Sequence, residues 1–117
     1  MYLSVAGIPA SQLTGPGKDF VTKFESDNHL TSIEPYTAYA AQAAEVMIQA
    51  ISNSDGTRQS VTDNLFKTKI TDGILGTFAI NRNGDTTSNP VTIDIAHNGA
   101  LQTFKVITPQ PSLVAAA

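Results

Sequence analysis

The chain has no cysteine among its 117 residues, which removes disulfides, thiolate zinc sites and thiol nucleophiles together. That absence leaves the compartment open. Basic charge is scarce as well. The seven Lys and Arg are dispersed along a chain of net charge −3 and pI near 5.1, whereas phosphate binding needs a clustered excess, so no nucleic-acid partner is expected. Long hydrophobic runs are also missing. The opening Met1–Ala6 has neither the basic start nor the apolar stretch of a signal peptide or membrane span, so no membrane insertion is expected.

Catalytic signatures are missing too. There is no Gly-x-Ser-x-Gly elbow. The stretch Thr14–Lys18 shares only its Gly-Lys pair with a phosphate loop, because Gln12 and Asp19 stand where Gly and Ser or Thr are needed. Asn81–Asp85 sets oxygen ligands around Gly84 but lacks the closing bidentate Glu of a calcium loop, and reads instead as a turn. His29 and His97 each lie in or beside a turn, away in sequence from any second good ligand. The expectation is a non-enzyme with no metal and no cofactor.

What the chain does have is 41% hydrophobic residues against 15% charged, the balance of one globular domain. Its strongest element is Pro35–Ile51. Ala, Gln, Glu, Met and Ile give it a high summed helix propensity, and Pro35 can open a helix where no donor is lost. Tyr36, Ala40, Ala43, Met47 and Ala50-Ile51 recur at helical spacing, widened sideways by Tyr39 and Val46. Thr37, Gln42, Glu45 and Gln49 are left as the polar side. That apolar band predicts burial against more than one neighbour.

Around this helix the pattern predicts a strand over Tyr2–Ile8 and a short helix over Lys18–Asp27 that packs through Phe20 and Phe24. A third helix is predicted from the Thr57 cap to Lys69. After Asp72-Gly73 the period becomes strand-like. Ile74–Ile80 leads into the Asn81–Asp85 turn, Val91–Ala96 follows, and Asn98-Gly99 signals a type I′ hairpin returning through Leu101–Ile107. The fold class is therefore α+β, three helices packed with a C-terminal antiparallel hairpin sheet. Residues 1–108 form one domain and 109–117 are expected to be a flexible tail. Tyr36 and Tyr39 flank a helix start whose free backbone donors suit a carboxylate or apolar ligand group. Packing of both rings at the core edge is the competing reading.

Taken in order, Met1-Tyr2-Leu3-Ser4, Lys18-Asp19-Phe20 within Gly15–Phe24, Tyr36-Thr37-Ala38-Tyr39-Ala40-Ala41, Val61–Leu65, and Gly73-Ile74-Leu75-Gly76-Thr77-Phe78 with Asn83-Gly84-Asp85 carry a likeness over nearly the whole chain. Together with the Asn98-Gly99 hairpin, the chain resembles the C-terminal part of branched-chain amino acid type solute-binding proteins of ABC transporters, the periplasmic binding protein type I family. The resemblance implies two α/β lobes joined by crossing strands, with an amino-acid-type solute held in the cleft and delivered to an ABC permease. It also implies a periplasmic or extracellular setting and no catalysis. It puts the ligand-contacting aromatic at Glu34 to Tyr36, with Tyr36 the better match. Family members carry a long N-terminal portion absent from this sequence, so the chain corresponds to a partial lobe. Its uncovered apolar surface and open strand edges lead to an expected homodimer. The alternative is a small non-enzymatic interaction or structural module with no small-molecule ligand.

Overall fold

Three helices come in succession and pack with the expected C-terminal antiparallel hairpin sheet, and a second, two-stranded antiparallel sheet lies between them in sequence. In the computed structural model, which describes residues 1–110, the elements run β1 (Tyr2–Ala6), a 3-10 turn (Ala10–Gln12), α1 (Pro16–Asn28), α2 (Pro35–Ser52), α3 (Arg58–Leu65), β2 (Lys69–Gly73), β3 (Gly76–Ala79), β4 (Val91–His97) and β5 (Ala100–Ile107). The architecture is mixed α+β, as expected. The tail expected over 109–117 lies almost wholly outside the described residues.

Each helix start follows from its sequence. Pro16 and Pro35 sit in the first turns of α1 and α2, and the Thr57 hydroxyl accepts the Ser60 amide at 3.2 Å as the cap of α3. His29 ends α1 in the left-handed conformation, φ 55°. The third helix is shorter than expected. It stops at Leu65, and Lys69, expected as its end, instead opens β2, which pairs antiparallel with β3. The β-branched residues Thr68, Ile70 and Thr71 favour an extended backbone over a third helical turn.

The larger sheet has the order β1-β4-β5, antiparallel throughout. Its hairpin turn is the one signalled by the sequence. Asn98 and Gly99 have φ of 50° and 79°, the two positive values that a type I′ turn requires. The Asn81–Asp85 turn also forms, closed by the Asn81 amide on the Asp85 carbonyl at 2.8 Å. It does not join two paired strands, however. Beyond it there is only the isolated Ile80–Thr86 bridge, and β3 and β4 belong to different sheets.

The core lies where α1, α2 and the β2–β3 turn meet. Leu13, Ala38 and Ile74 are buried there, with Ile8, Phe20, Val21, Ala41 and Leu75 packed around them. A Cβ on Gly17 would overlap the Ile74 carbonyl, which explains the glycine at the start of α1. The buried line of α2 is Ala38, Gln42, Val46 and Ala50. This corrects the face read from the sequence: Gln42 is inside, while Tyr36, Met47, Ile48 and Ile51 are exposed. The reason is specific, since the Gln42 side-chain oxygen accepts the Leu75 amide at 3.2 Å and its nitrogen donates to Glu45 at 3.1 Å. A polar side chain with both ends satisfied can occupy a core position that the apolar count assigns elsewhere. The Cα radius of gyration is 16.2 Å, against about 13 Å for a compact chain of this length. The excess reflects a slab only 21 Å thick along its shortest axis.

Candidate functional site

The two layers, helices with β2–β3 and the sheet β1-β4-β5, meet at one narrow joint after β1. There the Gly7 amide donates to the Pro90 carbonyl at 2.8 Å, and the buried Thr92 hydroxyl donates to the Gly7 carbonyl at 2.7 Å. The next amide, Ile8, donates to the Tyr39 hydroxyl of α2 at 3.1 Å. Gly7 has φ 98°, and a Cβ there would stand 2.7 Å from the Tyr39 hydroxyl oxygen, so the joint needs glycine on both conformational and steric grounds.

Beside this joint a cleft of about 160 Å³ opens between the layers. Pro35 of α2 forms one wall, and Thr92, Asp94, Leu101 and Thr103 of β4 and β5 form the other. The polar groups on that wall follow from strand alternation. Thr92 and Asp94 share the face of β4 turned to the cleft, and register pairs Asp94 with Thr103. The apolar set Val91, Ile93 and Ile95 therefore lies on the opposite face, beside Tyr2 and Phe104, whose rings meet edge to face at 5.4 Å. The apolar side of these strands therefore does not cover the band of α2.

The residues singled out at the α2 start are dispersed around this cleft. Glu34 occupies the cap position with its side chain making no capping bond, and it is exposed, as is Tyr36. Pro35 between them is the residue that lines the cleft. Pro35 offers no N–H and the Thr37 amide turns back to the Glu34 carbonyl at 3.0 Å, so the Tyr36 amide is the free donor of the first three positions. Tyr39, half-buried, packs edge to face with Tyr36 at 6.1 Å. Its hydroxyl holds the joint, and its ring borders a second cavity of about 140 Å³ with Leu75 and Phe78. Asp94, Thr92 and Thr103 were not singled out from the sequence. The available signal was polar residues recurring at every second position of an otherwise apolar strand.

No three His, Asp or Glu side chains among the described residues are grouped to hold a metal, and no described helix is long and apolar enough to cross a membrane. Chemically the cleft offers one carboxylate, hydroxyls and apolar walls, a set suited to binding a small polar solute.

The overall arrangement is that of part of a periplasmic binding protein type I fold. A solved structure that it resembles is the leucine-binding protein LivK from Thermotoga maritima, with a TM-score of 0.75 and 24% identity over 93% of this chain. The match covers 31% of the LivK chain, so this chain spans about a third of that protein's length. No protein-family model and no curated protein sequence matches it.

Proposed function

We propose that this chain is the C-terminal portion of an extracytoplasmic solute-binding protein for an amino-acid-type ligand, serving an ABC permease and catalysing nothing. The observation carrying this reading is the fold shared with a leucine-binding protein over 93% of the chain, with the cleft between the layers as its partial ligand site. In this reading Glu34 and Tyr36, which flank the cleft-lining Pro35, contact the ligand, with Tyr39 packed against the Tyr36 ring. A third of a two-lobed receptor supplies one side of a cleft, so the isolated chain binds solute weakly. The chain also self-associates as a homodimer, covering the outer face of the sheet and of α2.

Titration of the 117-residue chain with leucine, isoleucine and valine tests this. Calorimetry is expected to show no micromolar binding, while amide NMR at millimolar solute shifts residues 34–36 and the Asp94–Thr103 wall. Micromolar affinity would mean a complete site and sink the partial-receptor reading. Absence of any shift would favour the second reading, an interaction module. That second reading has one observation behind it, an exposed apolar stripe of Tyr36, Met47, Ile48 and Ile51 along α2. Light scattering checks the dimer: a monomer mass at low micromolar concentration removes it, and Phe104→Lys with Ile48→Asp is expected to lower the mass if it stands.

A further inference from the structure

The Gly7–Ile8 peptide unit has both polar atoms taken by side chains, and those side chains come from different layers. Its carbonyl accepts the Thr92 hydroxyl at 2.7 Å from the sheet, and its N–H donates to the Tyr39 hydroxyl at 3.1 Å from α2. Apolar packing across the joint is thin. Ile8 packs on the helical core, but Gly7 has no side chain, and cavities of about 160 and 140 Å³ flank the pair. The Tyr39 ring is the close contact on Gly7, and the free volume on both sides leaves few other van der Waals contacts to fix the angle there. The second crossing, through Pro90, is tied to the same place by the Gly7 amide.

We infer that Tyr39 and Thr92 form a two-sided clamp on the Gly7–Ile8 peptide that sets the orientation of the β1-β4-β5 sheet on the helical layer. They are positioning residues, acting on the cleft through its walls. Pro35 stands on one layer and Thr92, Asp94 and Thr103 on the other, so the clamp fixes how far apart those walls sit. This holds whatever the cleft binds and does not depend on the solute reading. It also gives Tyr39 a role other than ligand contact: its hydroxyl is engaged by the backbone at the joint.

The absence of cysteine makes a direct test clean. Spin labels at Gln49→Cys on α2 and Gln102→Cys on β5, both exposed sites, report the separation of the layers by pulsed electron resonance. Diluting the labelled chain into unlabelled chain limits the readout to distances within one molecule. The parent should give a narrow distance distribution, and Tyr39→Phe and Thr92→Val broader ones, while Thr92→Ser, which keeps the hydroxyl, should restore the parent's. Hydrogen exchange at the Ile8 amide should be about fivefold faster in Tyr39→Phe, the effect of one lost hydrogen bond, with the α2 amides unchanged. Unchanged distributions in both Tyr39→Phe and Thr92→Val overturn the clamp, as does a Thr92→Ser distribution as broad as that of Thr92→Val. Global unfolding of Tyr39→Phe would also overturn it, since the tyrosine would then be holding the core rather than the joint.

Discussion

The helical layer and the three-stranded sheet are stabilised by different means. The helical layer buries Leu13, Ala38, Val46, Ala50 and Ile74, and its one deeply buried amide side chain, Gln42, is satisfied at both ends. In the sheet the buried side chain is Thr92, at 4% exposure, while Tyr2 and Phe104 each remain 60% exposed. The first region is organised by tertiary packing of an apolar core. The second is organised by its backbone ladder, a two-residue turn and a single side-chain hydrogen bond. The sheet leaves its apolar outer face open, with Tyr2 and Phe104 exposed, whereas the helical layer has a core of its own.

The largest effect expected from this difference is at Ala38, which has no accessible surface. Ala38→Asp forces an unpaired charge into a fully buried point and should cost several kcal/mol, about 3 or more, abolishing cooperative unfolding followed by circular dichroism. Met47→Asp on the opposite face of the same helix should stay within about 1 kcal/mol of the parent, because Met47 is 43% exposed. Equal melting curves for the two variants would break the assignment of the buried face.

Next is Gln42→Met, which keeps the volume but leaves the Leu75 amide without its acceptor. Chemical denaturation should register a loss of about 1–3 kcal/mol, the cost of one buried unsatisfied donor. A neutral result would mean that the amide finds water and that the helical layer is looser than its geometry implies.

In the sheet the corresponding change is Gly99→Ala. Nothing lies within contact of a Cβ there, so the penalty is conformational alone, from φ 79°. About 1 kcal/mol should be lost, with faster exchange confined to β4 and β5 amides. Loss of protection in α2 as well would show that the two layers unfold as one unit.

The smallest effect is electrostatic and lies at the turn between α2 and α3. The Thr57 hydroxyl and amide donate to Asp55 at 2.7 and 2.9 Å, and these bonds hold its carboxyl below the ordinary 3.8. A lowered folded-state value means the bonds favour the folded turn fully above pH 3.8 and cease to do so as pH falls through that lower value. An NMR titration should therefore move the Thr57 amide only on acidification. Thr57→Ala should bring the Asp55 midpoint back toward its ordinary value.

Legibility followed the range of the interactions. The start of α2 at Pro35, the Thr57 cap and the Asn98-Gly99 turn were all legible because each depends on a few neighbouring residues with fixed conformational preferences. The buried face of α2 was not, since Gln42 enters the core only because Leu75, far along the chain, presents an amide to it. The fate of Lys69 was also hidden: whether Thr68–Thr71 ends a helix or begins a strand depends on β3 being there to pair. At the candidate site, the helix start was legible but its neighbours were not. Which wall faces Pro35 depends on how the sheet is hung from Gly7.

The sequence by itself determined the α+β class, the order of helices before the final hairpin and the type of that hairpin's turn, because propensity, capping and the φ demands of turns act locally. Tertiary structure alone decided that β1 pairs with β4, that the apolar side of the sheet faces away from the helices, and that Tyr39 serves the joint. Each of these depends on hydrogen-bond partners and packing surfaces that meet only after the chain has folded, between residues as far apart as Gly7 and Thr92.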